Sequence, residues 1–261
     1  GRRARIWQGG SELRFFVQAL TDTGLVRQAN EDSIEWCSGQ SDKSLLAAVA
    51  DGMGGYHGGA VASRCALDAF VPPIKKSLDN GGAAVQWPER LRDAATAAQH
   101  AVRERRASEP ALAQMGTTLT AALFHAGGMH WVHAGDSRCY RLHDGQLRQL
   151  TRDDTVAQAL LDEGGVEAND ALLKRYEHIL TTALGAEENI EFAVGESAAE
   201  VGDQFLLCSD GLYGVVDSEQ LTRVLTGSGD SRSKLNTLLS AALDAGAPDN
   251  ISVLLVSVQN D

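Results

Sequence analysis

Four apolar runs of strand length in this chain meet an aspartate. Leu45–Ala50 leads into Asp51-Gly52, Gln204–Cys208 into Ser209-Asp210-Gly211, and Trp131–Gly135 into Asp136-Ser137-Arg138. Asp249-Asn250 stands immediately before Ile251–Val258. Short apolar runs bounded by Gly or Asp read as buried strands. A carboxylate at the mouth of such a strand is held by a rigid element. A glycine beside it leaves the backbone free to turn a carbonyl toward a ligand. Taken singly, Asp-Gly after a strand reads as a turn. Four together place carboxylates that repel one another unless a cation shares them. No histidine stands beside them in sequence, and an oxygen-only donor set suits a hard cation such as Mg²⁺ or Mn²⁺.

Other strand-like runs are Phe15–Leu20, Ser44–Ala50, Thr117–Phe124 and Met129–His133. Ser137–Leu150 reads as a hairpin about Asp144-Gly145, a favoured two-residue turn. Helical spacing marks Ala60–Leu78, where Pro72-Pro73 is expected to break or restart the helix. It also marks Arg90–Arg106, Asp154–Glu163 and Ser231–Ala245, and a short helix is expected to start at a Ser218 cap. Strands come in adjacent groups with helices between the groups. That order predicts an α+β layered domain over a doubly wound parallel sheet. Asn80-Gly-Gly-Ala reads as a surface turn, and residues 164–180 as a mobile insertion. Met115 and Met129 are assigned to the core, and His125, His130 and His133 to strand surfaces.

Of the 261 residues, 35 are acidic and 23 are Lys or Arg, for a net charge of −12. This charge and an aromatic content of 5% argue against a nucleic-acid binder, which needs a basic face. No apolar run approaches the ~20 residues of a membrane span. Cys37, Cys65, Cys139 and Cys208 form no Cys-x-x-Cys pair and read as free thiols in a reducing, cytoplasmic setting. Gly1–Arg5 is not followed by the apolar segment of a secretory leader. Residues 1–11 are expected to be a flexible N-terminus outside the folded core, and 12–261 a single domain. No feature demands a second copy, so a monomer is expected.

Arg27, followed by Asn30-Glu31-Asp32, offers a guanidinium fork matched to phosphate oxygens; alone, the cluster reads as a solvated loop. The glycine-rich Asp51–Ala60 stretch lacks the Lys-Ser/Thr of a nucleotide loop.

Taken in order, Arg27-x-x-Asn30-Glu31-Asp32, Asp51-Gly-Met-Gly-Gly55, Ala62-Ser63, Gly116-Thr-Thr118, Gly135-Asp-Ser-Arg138, Leu180-Thr-Thr-Ala-Leu-Gly185, Ser209-Asp-Gly211 and Asp249-Asn250 resemble the metal-dependent Ser/Thr protein phosphatases of type 2C, in their compact bacterial form. The resemblance spans residues 21 to 258. It implies a four-layer α-β-β-α sandwich, two antiparallel sheets with helices outside. It implies two Mn²⁺ or Mg²⁺ ions: Asp51 bridging both, the Gly52 carbonyl on one, Asp210 and Asp249 on the other. Asp136 with Asp210 would hold a third, weaker ion. Glu31 and Asp32 would act through water, and Arg27 would bind the substrate phosphate. Asp51, Asp210 and Asp249 thus become the catalytic residues. A metal-activated hydroxide would attack phosphorus directly, so no nucleophilic side chain is required. Two bound ions would bring −12 to about −8.

The chain departs from the family at Tyr56 and Ala60, where many bacterial relatives have His and Glu, with His57 shifted by one. Met53 stands where eukaryotic members place a leaving-group histidine, which leaves a metal-bound water in that role. Asp153-Asp154-Thr155 replaces Asp-His-Ser. His57 reads as a structural or surface residue. Residues from about 153 to 180 correspond to the family's variable flap, with Gly164-Gly165 as a hinge. The expected activity is hydrolysis of phosphoserine and phosphothreonine in proteins, opposite a cognate Ser/Thr kinase. The competing readings are a small-molecule phosphoesterase and a catalytically silent binding module on the same fold.

Overall fold

The structure, a computed structural model, describes residues 12–39, 42–55, 58–80, 86–164, 167, 171 and 173–261. Among the described residues there are twelve strands: β1 (Leu13–Asp22), β2 (Ser33–Ser38), β3 (Leu45–Ala50), β4 (Gly52–Met53), β5 (Gly116–Thr117), β6 (Leu119–His125), β7 (Gly128–Ala134), β8 (Arg138–His143), β9 (Gln146–Gln149), β10 (Ala193–Ser197), β11 (Gln204–Cys208) and β12 (Ile251–Asn260). Six helices join them: α1 (Gly58–Asp79), α2 (Trp87–Ser108), α3 (Val156–Asp162), α4 (Asp210–Tyr213), α5 (Ser218–Thr226) and α6 (Ser231–Asp244).

Two five-stranded antiparallel sheets form, ordered β1-β12-β11-β8-β9 and β10-β7-β6-β3-β2. The period of two along a strand explains why both stay buried. In β3, Leu45, Ala47 and Val49 face the other sheet, and Leu46, Ala48 and Ala50 face α1 and α2. In β11 and β12, Phe205, Leu207, Leu254 and Val256 point inward, and Leu206, Val253 and Leu255 meet α4, α5 and α6. Phe124 of one sheet meets Phe205 of the other edge-on, 5.0 Å between centroids. Helices cover both outer faces, which is the expected α-β-β-α order.

Several local expectations are corrected. α1 runs unbroken through Pro72 and Pro73. Both prolines are exposed, while Leu67, Phe70, Val71 and Ile74 on the other face of the helix are buried in the core and keep it folded through them. The cap of α5 is Asp217, whose side chain accepts from Gln220 N at 2.8 Å; Ser218 is the first helical residue. His133 is fully buried, while His125 and His130 are partly buried and stack at 5.1 Å. They are not strand-surface residues: His125 and His130 lie on the face that α2 covers, near Trp87, and His133 lies on the inter-sheet face, bonded to Thr120 Oγ1 and Arg152 O. The Asp144-Gly145 turn has positive φ at both residues, as its type demands. Met115 and Met129 lie in the core. Residues 1–11, Tyr56, His57, Gly165 and 81–83 of the expected surface turn lie outside the described residues.

Candidate active site

Strand direction gathers the aspartates. β3 and β7 both pair antiparallel with β6, so Asp51 and Asp136 leave one sheet at the same end. β11 pairs antiparallel with β12, so Asp210 after one and Asp249 before the other share an end of the second sheet. A cleft of about 820 Å³ opens where these ends meet. Arg27, Glu31, Asp51, Gly52, Asp136, Asp210 and Asp249 all line it. Asp32 does not; it lies behind the wall, where its carboxylate accepts from Ser209 Oγ at 2.7 Å.

Each aspartate is fixed through its backbone. Asp51 N donates to Thr118 Oγ1 at 2.9 Å, and Asp51 O accepts from Thr118 N and Thr117 Oγ1. Thr118 Oγ1 shares a further bond with Ser137 Oγ. Tyr213 Oη donates to Asp136 O at 2.8 Å. Asn250 ties the Arg27 loop to the start of β12: its amide donates to Thr23 O and Ala29 O, and its Oδ1 accepts from Glu31 N. Gly211 is required where α4 meets that strand, since a Cβ there would lie 1.9 Å from Asn250 O. Gly52 sits as tightly, with an added Cβ 2.1 Å from Gly59 O.

The electrostatics of the cleft are unbalanced. Burial, then the charges of Asp32, Asp210, Asp136 and Asp249, hold the Asp51 carboxyl well above the ordinary carboxylate range. Burial, then Asp210 and Asp153, push Asp136 up to about 8. Burial raises Asp32 to about 6, and burial with Asp249 raises Asp210. Against these stands Arg27, whose Nη2 donates to Asp249 Oδ2 at 2.6 Å. Asp210 Oδ1 is buried and accepts no hydrogen bond from the described residues. Buried like charges and an orphaned carboxylate oxygen are what a bound cation relieves. Among the described residues no three His, Cys, Asp or Glu side chains are already closed to metal-ligand spacing. The donor set nevertheless fits hard divalent ions, because every group facing the cleft from a strand end is an oxygen ligand.

The flap side of the cleft was only partly legible. Asp153 takes Arg138 through both oxygens at 2.6–3.0 Å. Asp154 accepts from Gly135 N, beside Asp136. Thr155 caps α3. The Asp-Asp-Thr departure therefore anchors the flap to the strand ends. On the far side, Leu180 bridges to Thr155 and Leu184 to Thr117. His178 was missed. Its Nδ1 lies 3.9 Å from Asp210 Oδ2 and its Nε2 3.4 Å from Glu177 Oε1. A lone histidine in an aperiodic stretch carries no sequence signal, so the aspartates do have an imidazole neighbour that only folding supplies.

A family profile described as protein phosphatase 2C matches residues 25–247, which cover every one of these aspartates except Asp249. The chain belongs to the protein phosphatase 2C family. Among its curated relatives, the serine/threonine protein phosphatase PstP of Mycobacterium tuberculosis is 38% identical over 240 residues, 92% of this chain and 44% of that protein. The chain thus spans less than half the length of that relative. The serine/threonine phosphatase stp of Listeria innocua is 33% identical, over 90% of this chain and 93% of its own. Among solved structures, the PstP catalytic domain in complex with two manganese ions superposes with a TM-score of 0.82 at 36% identity, covering 95% of this chain and all of that one. These likenesses extend across both sheets of the 2C fold.

Proposed function

We propose that this chain hydrolyses phosphoserine and phosphothreonine in proteins, using two Mn²⁺ or Mg²⁺ ions, with residues 12–261 as one catalytic domain. Asp51, the Gly52 carbonyl, Asp210 and Asp249 would hold the two ions, and Asp136 with Asp210 a third. The observation that carries the reading is the convergence of four strand-end carboxylates on one cleft with a single arginine beside them. Bound ions supply Lewis acidity and lower the pKa of water toward neutrality. The chain's own residues position the rest. Arg27 reaches the cleft on Asp249, and its fork is free to turn two donors onto phosphoryl oxygens. Glu31 lines the cleft and orders water there, with Asp32 supporting from behind Ser209.

The partners in this reading are phosphoproteins of a cognate Ser/Thr kinase system, met by a monomer in the cytoplasm. Free cysteines support a reducing compartment, and no described helix is long and apolar enough to cross a membrane. The test is hydrolysis of p-nitrophenyl phosphate with Mn²⁺, before and after chelation, followed by a comparison of phosphothreonine peptides with nucleotides. Metal-dependent turnover with preference for peptides is expected. Turnover that survives chelation contradicts the metal centre, and preference for nucleotides moves the enzyme to small phosphoesters.

A further inference from the structure

A second cavity, of about 300 Å³, lies under the flap beside the cleft and shares Glu177, His178, Asp210 and Gly214 with it. The Glu177-His178 pair is therefore a partition between the two. Ala157, Leu161 and Leu173 form an apolar wall. The opposite wall is Arg138, whose charge is paired by Asp153 and each of whose guanidinium nitrogens already donates a hydrogen bond. Its Nε and Nη2 bind Asp153, its Nη1 donates to Tyr140 Oη at 3.0 Å, and its guanidinium lies 3.5 Å over the Tyr213 ring. Asp153 is equally spent, since Gln149 Nε2 also donates to it. With Asp210 assigned to the metal centre, the charge left over in this cavity is that of Glu177, half-exposed and met among the described residues only by its neighbour His178. Lys174 and Arg175 belong to the same turn but line neither cavity.

Resting on the phosphatase reading above, we propose that this cavity is a specificity subsite that receives a lysine or arginine side chain of the protein substrate, within a few residues of the phosphorylated one. The alkyl stem lies along Ala157, Leu161 and Leu173, and the charged head meets Glu177. Such a stem suits an apolar wall with an anionic rim, whereas an acidic side chain would face Glu177 with no free cation to receive it.

The test uses phosphothreonine peptides carrying a single Arg, Ala or Glu at each of the three positions on either side of the phosphoresidue. kcat/KM is measured with Mn²⁺ present. At the best position, Arg is expected to exceed Glu by about tenfold, the scale of a partly desolvated ion pair. Glu177→Lys should invert that ratio, and Leu161→Trp, which fills the apolar wall, should flatten it. Glu177 is exposed, so its replacement tests recognition and not folding. Equal rates for all peptides, or a preference that survives Glu177→Lys, would overturn the subsite. Turnover of p-nitrophenyl phosphate by the unaltered enzyme reports separately on the phosphatase reading.

Discussion

At the start of α4, Asp210 presents a buried Oδ1 with no hydrogen-bond partner among the described residues. Its carboxylate is also raised in pKa by burial and by Asp249. The two facts separate function from stability. Asp210→Asn removes one oxygen of the proposed metal centre and one repelling charge together. We expect it to lower turnover at least a hundredfold, as loss of a transition-state ligand does. The melting temperature of the metal-free protein should hold or rise. Calorimetry beside a turnover assay checks both, and loss of folding in this variant would contradict the repulsion argument. Arg138 is the opposite case. It sits between Asp153, Tyr140 and Tyr213, and Arg138→Ala strands a nearly buried Asp153. A cost of about 3 kcal/mol is expected, read by urea unfolding. Residue types at strand ends made the aspartates visible from sequence. His178 and the spent state of Arg138 were invisible, because both depend on where the flap folds back.

The strands that read as near-continuous apolar runs are those whose both faces are covered. β3, β11 and β12 are near-continuous apolar runs, since a sheet lies on one side and helices on the other. β2 and β10 are edge strands with few buried residues, so neither alternation nor an apolar run marks them. α1 shows the limit of a local rule. Two prolines were expected to stop it, yet tertiary burial on one face outweighs two missing hydrogen bonds on the other. The cap of α5 shows another. Serine and aspartate are both good caps, and only the geometry chooses Asp217. Asp217→Ala should therefore cost about 1 kcal/mol, and Ser218→Ala almost nothing. Thermal or chemical denaturation of the two variants distinguishes them, and equal costs would contradict the assignment.

Across the whole molecule, part of the acid behind a charge of −12 is gathered at one end of the sandwich, where Asp51, Asp136, Asp210 and Asp249 line one cleft. This has a consequence for pH. The unfolded value of an aspartate is about 3.9, whereas in the fold Asp32 is raised to about 6 and Asp136 to about 8. The metal-free fold therefore binds these protons more tightly than the unfolded chain. Their stabilisation is complete below about pH 4 and is lost as pH rises through 6 and then 8. The chelated protein should melt at progressively lower temperature between pH 4 and pH 8, and Mn²⁺ should restore most at the upper end. A melting temperature that rises over this range without metal would contradict the carboxylate cluster. The most direct measurement is anomalous diffraction from crystals soaked in Mn²⁺. Two peaks flanked by Asp51, Asp210 and Asp249 are predicted. A cleft with no peak, or manganese bound only elsewhere, would contradict the account.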